Sequence, residues 1–327
     1  MASPGLSWWP ASREGRSSFA WDVFEGLRKP QKTLPCQYLY DALGSALFDA
    51  ITLLPEYGLT RADERILKRC APLLAERLAP VSEIVELGSG SGVKTRAVLE
   101  AFAPRQGAIR YVPIDGSKAA LDRCRAELGD VPGVEIEVLV ALYLEGLARA
   151  LREPRTRPAL VLFLGGSIGN FEAEEAVRFL SEVRALLREG DALLIGADLE
   201  KDPEILLRAY DDGLGVTAAF NRNILARINR ELDADFDLSR FRHEARWSDG
   251  QKRIEMHLRS VERQRVRVGA LQSTFTFEKD ETVWTESSHR FTLHLLKEIA
   301  RRSGFKVAAR WVDDEWAFAE SLWVATR

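Results

Sequence analysis

Apolar and polar positions follow a regular alternation through the middle of the chain. From Glu83 onward, short and nearly continuous apolar runs are separated by stretches with helical periodicity. Runs of this kind are typical of strands buried on both faces, so we predict an α/β fold with a parallel sheet covered by helices. The predicted strands are EIVEL (83–87), IRYVPID (109–115), VEIEVLVA (134–141), ALVLFLG (159–165) and ALLIGAD (192–198), and the predicted helices lie near 92–102, 117–127 and 172–188.

The end of the chain has a different pattern. Two strand-like segments, FKVAARWVDD and FAESLWVAT, lie close together with no helix between them. We therefore expect an antiparallel hairpin at an edge of the sheet. An open α/β sheet with such a late hairpin has the outline of a Rossmann-like, class I methyltransferase, whereas a dehydrogenase sheet more often continues with parallel units.

Residues 200–289 interrupt the alternation. This segment opens with helical patterns and continues with strand-like ones, including a predicted hairpin turn at SDG (248–250). We predict that it joins residues 16–60 in a second, α+β domain that binds the substrate. The first domain then comprises residues 61–199 and 290–327, and residues 1–15 form a flexible N-terminal tail.

A glycine-rich turn, VELGSGSGVKTR, follows the first strand of the predicted sheet. Gly88, Gly90 and Gly92 let a ligand approach the backbone, but Val93 stands where a dinucleotide-binding turn has its third glycine. Asp115 ends the next strand, where a carboxylate can bind both hydroxyls of a ribose. Together with the late hairpin, these residues favour S-adenosylmethionine over a dinucleotide.

Composition and charge narrow the function further. The chain of 327 residues has a net charge of only -3, which gives no indication of binding to nucleic acid or to a membrane surface. No apolar stretch approaches the roughly 18 residues of a membrane span. Three widely spaced cysteines, and four histidines without an HExxH pair, predict neither a disulfide framework nor a metal site. We therefore expect a cytoplasmic protein without a metal. We also expect a monomer.

Longer motifs give the chain a specific resemblance. LYDALGSALFDAITLLPEY, VLFLGGSIGNF, RAYDDGLGVTAAFNRN, NRELDADFDL, RIEMHLR and TESSHRF resemble segments of the ergothioneine-pathway histidine Nα-methyltransferases, the EgtD family, from about Lys32 to the C-terminus. The resemblance implies transfer of three methyl groups from S-adenosylmethionine to the α-amine of L-histidine. The product is hercynine, in the first step of ergothioneine biosynthesis.

Two alternatives remain open at this point. The broad family also includes fungal N-methyltransferases that act on prenylated tryptophan, so the substrate could be another amino acid. A non-catalytic protein that binds S-adenosylmethionine is the other alternative. The intact motifs GGSIGN, RAYDD and TESS count against this second alternative.

The resemblance also implies roles for individual residues. Those expected to bind the methyl donor are Tyr40, Gly88, Lys94, Asp115, Leu142 and Tyr143. Those expected to bind the amino-acid substrate are Phe48, Tyr57, Gly165, Asn170, Tyr210, Met256, Glu286 and Ser288. Tyr40 and Asn170 are expected to take part in catalysis.

The chemistry of these side chains suits such roles. The amide of Asn170 both donates and accepts hydrogen bonds, which fits the amine and carboxylate of an amino acid, and Tyr210 would donate to the same carboxylate. Glu286 and Ser288 lie two residues apart on a predicted strand and would bind the imidazole from one face. Without the resemblance, Glu286 would be interpreted as a solvated strand carboxylate, and Met256 as a core residue.

One position departs from the family pattern. The family commonly has Gly-Asp-Phe after the third strand, with the aspartate binding the amino group of adenine. Ala141, Leu142 and Tyr143 stand here, so Leu142 replaces that aspartate. We expect this adenine contact to be lost, or to be supplied by a backbone carbonyl or a neighbouring residue.

Overall fold

The computed structural model describes residues 18–152 and 154–326, so the tail expected at residues 1–15 lies outside the described residues. The chain divides into two compact units. Unit 1 comprises the described residues up to Tyr57, Asn170–Glu172 and Lys201–His289, and unit 2 comprises Gly58–Gly169, Ala173–Glu200 and the described residues from Arg290 onward.

Helices and strands are numbered in chain order. The helices of the described residues are α1 (Ser18–Arg28), α2 (Ala42–Thr52), α3 (Leu59–Leu78), α4 (Arg96–Gln106), α5 (Lys118–Leu128), α6 (Tyr143–Ala150), α7 (Ala173–Leu186), α8 (Pro203–Tyr210), α9 (Val216–Leu232) and α10 (Leu293–Arg302). The strands are β1 (Lys32–Thr33), β2 (Glu83–Leu87), β3 (Ile109–Asp115), β4 (Val134–Ile136), β5 (Leu139–Val140), β6 (Leu160–Phe163), β7 (Ala192–Asp198), β8 (Phe241–Ser248), β9 (Arg253–Ser260), β10 (Gln264–Val268), β11 (Ser273–Phe277), β12 (Thr282–His289), β13 (Phe305–Asp313) and β14 (Phe318–Ala325).

The sheet of unit 2 has the strand order β13-β14-β7-β6-β2-β3-β4, and the short β5 also pairs with β3. Strands β3, β2, β6 and β7 are parallel, and β2, β6 and β7 are buried along their whole length. The parallel sheet predicted from the apolar runs is therefore confirmed. β13 and β14 form an antiparallel hairpin, and β14 pairs antiparallel with β7, which confirms the predicted edge hairpin.

The order of strands has a reversal, the position at which open α/β sheets commonly bind ligands. The chain passes from β2 to β3 on one side, and β6 pairs with the other side of β2. The order of strands therefore reverses at β2. Ligands of open α/β sheets bind at the carboxyl ends of the strands beside such a reversal, which is where the glycine-rich turn follows β2.

Two elements differ from the prediction by more than two residues. Helix α4 begins at Arg96 rather than near residue 92, because Gly92 has a φ of 76° and so lies outside helical backbone. The predicted strand 134–141 is instead two short strands, β4 and β5. They pair with β3 on either side of Pro113, which has no N–H to continue the ladder of hydrogen bonds.

Unit 1 contains the sheet β1-β12-β9-β8 and a separate antiparallel pair, β10 and β11. Helices α8 and α9 both contact β8 and β9, and α2 packs against α9. β8 and β9 form an antiparallel hairpin whose turn includes Asp249–Gln251, so the turn predicted at SDG is confirmed.

A β-bulge interrupts strand β12. Trp284 pairs with His257, whereas Glu286 pairs with Met256, so the register shifts between Trp284 and Glu286. Adjacent residues of a strand point to opposite faces of the sheet. Trp284 therefore shares a face with His257, on which its ring stacks at 5.8 Å, while Glu286 shares the opposite face with Met256.

Candidate active site

The glycine-rich turn of unit 2 depends on left-handed backbone. Gly88, Gly90 and Gly92 have φ angles of 74°, 53° and 76°. A Cβ atom at Gly88 would lie 3.0 Å from the Tyr143 hydroxyl, and one at Gly92 would lie 2.7 Å from Cys124 Sγ. At Gly90, no atom of the described residues lies within 4 Å of an added Cβ. The backbone is therefore open to a ligand at Gly90, while the flanking glycines let the turn pack tightly.

Asp115 at the end of β3 is tied to this turn. Its Oδ2 accepts a hydrogen bond from the Gly90 amide at 3.1 Å, and its Oδ1 accepts one from the Ser117 amide at 2.8 Å. Burial raises the pKa of Asp115 above its usual value, and the two amide hydrogen bonds oppose that shift. Each carboxylate oxygen has a second lone pair, so both can still accept from the hydroxyls of a ribose.

Lys94 in the turn is held by a buried aspartate. Its Nζ lies 2.5 Å from Asp63 Oδ2, and the same oxygen accepts a hydrogen bond from the Gly165 amide at 3.1 Å. A Cβ at Gly165 would lie 2.8 Å from Lys94 Nζ, so a glycine at this position leaves room for the ammonium. The Lys94 side chain is 24% exposed and ion-paired, which distinguishes it from a solvated helix lysine.

Asp63 was missed in the sequence because it lies on the buried side of α3. Ala62, Ile66 and Cys70 are buried on the same helix, and their spacing marks the apolar stripe. An acidic residue next to such an apolar stripe could have indicated a buried ion pair. Its partner Lys94 follows 31 residues later, so the pairing itself became visible only in the folded chain.

Leu142 and Tyr143 follow the strand that lies beside Asp115. Val140 pairs with Asp115 in the parallel sheet, and Leu142 comes two residues later with 43% of its surface exposed. The Tyr143 ring packs 5.6 Å from Phe163. Leu142 therefore presents exposed apolar surface after the strand next to Asp115, whereas Tyr143 is anchored against the core of unit 2.

Aromatic side chains form a continuous group in unit 1. The ring centroid of Phe48 lies 5.4 Å from that of Tyr40, 5.9 Å from that of Phe220 and 6.3 Å from that of Tyr57. Tyr57 continues the group to Tyr210 at 6.3 Å. We call these five residues the aromatic cluster. The faces of several aromatic rings can stabilise a methylated ammonium group through cation–π interactions. Phe220 was missed, although it lies in the motif VTAAFNRN.

Polar side chains of β12 lie beside α8. The Tyr210 hydroxyl donates a hydrogen bond to Ser288 Oγ at 2.7 Å. Glu286 lies opposite Met256 and Ser288 opposite Ile254, so Glu286 and Ser288 share the face on which Tyr210 lies. Glu286 is only 6% exposed, which excludes a solvated strand carboxylate. The structure thus brings the residues predicted for the imidazole together with Tyr210.

A histidine forms a hydrogen bond with the main chain of Tyr210. His243 Nε2 lies 2.7 Å from the Tyr210 carbonyl oxygen, and Asn221 Nδ2 lies 2.9 Å from His243 Nδ1. The Asn221 Oδ1 accepts from Thr285 at 2.6 Å, which fixes the amide so that Nδ2 faces the ring. His243 is therefore neutral with its proton on Nε2, and burial lowers its pKa. Sequence reasoning gave no role to His243 or Asn221.

Asn170 ends a 3-10 turn, Ser167–Asn170, that follows β6. It is half-buried and opens the short segment Asn170–Glu172 of unit 1. Phe171 is buried, and Glu172 forms an ion pair with Arg253 and lies 3.2 Å from His289 Nε2. The two residues after Asn170 thus fix its backbone within unit 1.

Several simple features are established for the described part of the chain. No helix there is long and apolar enough to cross a membrane. The three cysteines are free and buried. Histidine, cysteine, aspartate and glutamate side chains do not gather, in residues 18–152 and 154–326, into a group that could hold a metal ion.

The parallel sheet, the antiparallel edge hairpin and the glycine-rich turn beside Asp115 define a class I S-adenosylmethionine-dependent methyltransferase. A family model described as "Histidine-specific methyltransferase, SAM-dependent" matches residues 19–325. The chain belongs to this family.

Three named relatives are similar over most of the chain. The histidine N-alpha-methyltransferase of Mycobacterium tuberculosis is 43% identical over 302 residues, which cover 92% of this chain and 93% of the relative. The protein of the same name from Mycolicibacterium smegmatis is 42% identical over 303 residues, again 92% and 93% of the two chains. Ergothioneine biosynthesis protein 1 of Schizosaccharomyces pombe is 28% identical over 288 residues, covering 85% of this chain and 37% of that longer one.

Proposed function

We propose that the protein transfers methyl groups from S-adenosylmethionine to the α-amine of L-histidine and forms hercynine, the first step of ergothioneine biosynthesis. The observation that carries this proposal is that unit 1 contains a buried carboxyl group at Glu286 and the aromatic cluster, whose Tyr210 is hydrogen-bonded to Ser288 on the face of Glu286. An imidazole needs a polar partner, and an amine that gains methyl groups needs aromatic walls. Membership of the histidine-specific family supports the same substrate.

The donor would bind to unit 2. S-adenosylmethionine has one anionic group, its carboxylate, and Lys94 is the cation beside the glycine-rich turn that would pair with it. Asp115 would accept from the ribose hydroxyls, and the open backbone at Gly90 would allow close approach. Leu142 offers no side-chain acceptor, so the adenine amino group would be bound by main-chain carbonyl groups near it.

The substrate would bind to unit 1. Asn170 would bind the amine and carboxylate of histidine through its amide, with Tyr210 beside it. Glu286 would accept a hydrogen bond from the imidazole, with Ser288 next to it. The aromatic cluster would surround the α-nitrogen, and its rings would stabilise the ammonium as methyl groups accumulate.

The reaction would be a direct in-line displacement. The nitrogen lone pair attacks the methyl carbon as the carbon–sulfur bond breaks, which leaves S-adenosylhomocysteine and a methylated ammonium. The sulfonium is already an activated electrophile, so the protein mainly orients the reactants and excludes water. The ammonium must lose a proton before the next transfer, and the hydroxyl of Tyr40, a half-buried residue, would relay that proton to water.

Mass spectrometry of the reaction products tests the proposal. Each common amino acid is incubated with the protein and S-adenosylmethionine that carries a deuterated methyl group. Histidine is expected to give mono-, di- and trimethylated species in sequence, with fragmentation placing all methyl groups on the α-nitrogen. No methylation of histidine, alongside methylation of tryptophan or tyrosine, would overturn the proposal in favour of another amino-acid substrate.

A further inference from the structure

Three buried carboxyl groups surround Lys94 in unit 2. Asp63 and Glu320 are fully buried, and Glu86 is 2% exposed. Lys94 is the ammonium whose charge acts on all three. With every carboxyl ionised, this group would carry two uncompensated negative charges in the interior. Carboxyl groups that share a buried site do not all ionise, so at least one of the three holds a proton.

Hydrogen bonds identify the group that holds it. Asp63 Oδ2 accepts from Lys94 and from the Gly165 amide. Glu86 Oε2 accepts from Thr95 at 2.7 Å and from the Tyr111 hydroxyl at 2.5 Å. Donors of this kind stabilise a carboxylate anion. In the described parts of the chain, no group donates to either carboxyl oxygen of Glu320. Burial raises the pKa of Glu86 to about 7 although its two donors oppose the shift, whereas Glu320 has no such donor, so Glu320 is the carboxyl that most favours the neutral form.

The position of Glu320 is built into the sheet. It lies on β14 directly opposite Gly196 of β7, and a Cβ at Gly196 would overlap Glu320 Oε1. Glu320 is within hydrogen-bonding reach of Asp63, whose Oδ1 also receives no donor from the described residues. One proton on Glu320, donated to Asp63 Oδ1, satisfies both side chains. Burial and the charge of Asp63 raise the pKa of Glu320 well above its usual range, in agreement with a neutral acid.

We propose that Glu320 is a positioning residue of the methyl-donor site, which donates a hydrogen bond to Asp63 and thereby fixes the carboxylate that holds Lys94 and the Gly165 amide. With Glu320 neutral, Asp63 is the carboxylate that pairs directly with Lys94. The ammonium can then also attract the carboxylate of the donor. An ionised Glu320 would compete with that carboxylate for Lys94. The inference rests on the proposed assignment of Lys94 to the donor.

Two substitutions separate positioning from packing. In E320Q the amide still donates to Asp63, whereas E320L fills similar space and donates nothing. We expect E320Q to bind S-adenosylhomocysteine with a Kd within about twofold of the parent in calorimetric titration. We expect E320L to bind it about tenfold to a hundredfold more weakly, the scale of a hydrogen bond to a charged group, with the KM for histidine unchanged. S321A, at the adjacent buried position of β14, is the matched control and should bind as the parent does.

The results distinguish this inference from the assignment on which it rests. If K94M binds S-adenosylhomocysteine as tightly as the parent, the assignment of Lys94 is wrong. If K94M binds weakly while E320L binds as the parent does, or E320Q is as impaired as E320L, only the inference about Glu320 is overturned.

A spectroscopic measurement tests whether Glu320 is protonated, even if E320L does not fold. The infrared difference spectrum between the parent and E320Q should show the C=O band of a protonated carboxyl at neutral pH, lost in E320Q. Its absence would overturn the inference. The titratable groups that face Glu320 are Asp63 and Cys70 of α3, Glu86 of β2 and Lys94 of the turn. All four are retained in E320Q, and because burial raises the pKa of Glu86 to about 7, the same difference spectrum for E86Q identifies any band that belongs to Glu86.

Discussion

The hydroxyl of Tyr210 donates its hydrogen bond to Ser288 Oγ, 2.7 Å away. A phenol has one proton, so Tyr210 cannot donate to Ser288 and to the carboxylate of a substrate at the same time. Two modes of action follow from this limit. Either Tyr210 keeps Ser288 in position for the imidazole, or it turns to the carboxylate when the substrate binds.

A double-mutant cycle separates these two modes. If Tyr210 acts through Ser288, then Y210F, S288A and the double variant should show a coupling of about 1 kcal/mol in kcat/KM for histidine. If Tyr210 instead binds the carboxylate, the two losses should add, and Y210F alone should lose about 1.5–3 kcal/mol. Histidinamide is the control, because it lacks the carboxylate and removes only the second effect.

His243 should make the protein sensitive to acid. Burial lowers the pKa of His243 from 6.5, so the unfolded chain takes up a proton at a pH where the folded chain does not. The stability contributed by neutral His243 is complete above about pH 6.5 and declines as the pH falls toward the folded pKa. In H243Q the amide still donates to the Tyr210 carbonyl and does not titrate. The melting temperature of the parent should therefore fall more steeply than that of H243Q below this pH.

The matched control replaces an exposed histidine, His294 on α10, with glutamine. H294Q should melt close to the parent, because an exposed side chain contributes little to the free energy of unfolding. Parallel curves for the parent and H243Q would show that the folded chain accommodates a charged His243.

Restoring an acidic residue at position 142 should strengthen donor binding. Leu142 is exposed and is also the N-cap of α6. In L142D the carboxylate can accept from the adenine amino group, so the donor should bind more tightly by about 0.5–1.5 kcal/mol. Aspartate also caps a helix, and L142S controls for this because serine caps as well but reaches less far. Both variants should melt at a higher temperature, and only L142D should lower the Kd of the donor.

Glu286 should control selectivity for the imidazole. A site built to pair polar atoms of its substrate rejects analogues that lack them. E286A should therefore lose about 2–4 kcal/mol in kcat/KM for histidine, while methylation of tryptophan rises from a low base. Adding M256V enlarges the same face and should help the larger ring further. The ratio of kcat/KM for histidine over tryptophan is the measurement, and an unchanged ratio in E286A would place the imidazole elsewhere.

The arrangement of unit 2 could be predicted from periodicity because buried parallel strands carry continuous apolar runs. EIVEL, IRYVPID and ALLIGAD are strands with the predicted limits. The prediction was wrong where one residue overrides the periodicity. Pro113 interrupts the pairing of β3, and Gly92 delays α4, since both effects depend on backbone geometry rather than on hydrophobicity.

The supporting residues of the candidate site could not be predicted in the same way. Asp63, Glu320 and His243 act through partners that are distant in the sequence, so no local pattern marks them. The residues predicted for the site came from motifs shared with a family. Those motifs do not show which residues hold the site residues in position. Asp63 behind Lys94 and His243 behind Tyr210 are examples.

The extra residue in β12 determines which side chains share a face of the sheet with Glu286. In an unbroken strand, Trp284 and Glu286 would project on the same side, and an indole would lie beside the carboxyl group. The insertion moves that indole through the sheet to His257. Thr285, at the bulge, donates hydrogen bonds to Asn221 Oδ1 and to the Met256 carbonyl. These bonds hold the shifted register of β12 in place. In evolutionary terms, losing one codon here would exchange a whole row of side chains, a larger step in substrate choice than any single replacement along the strand.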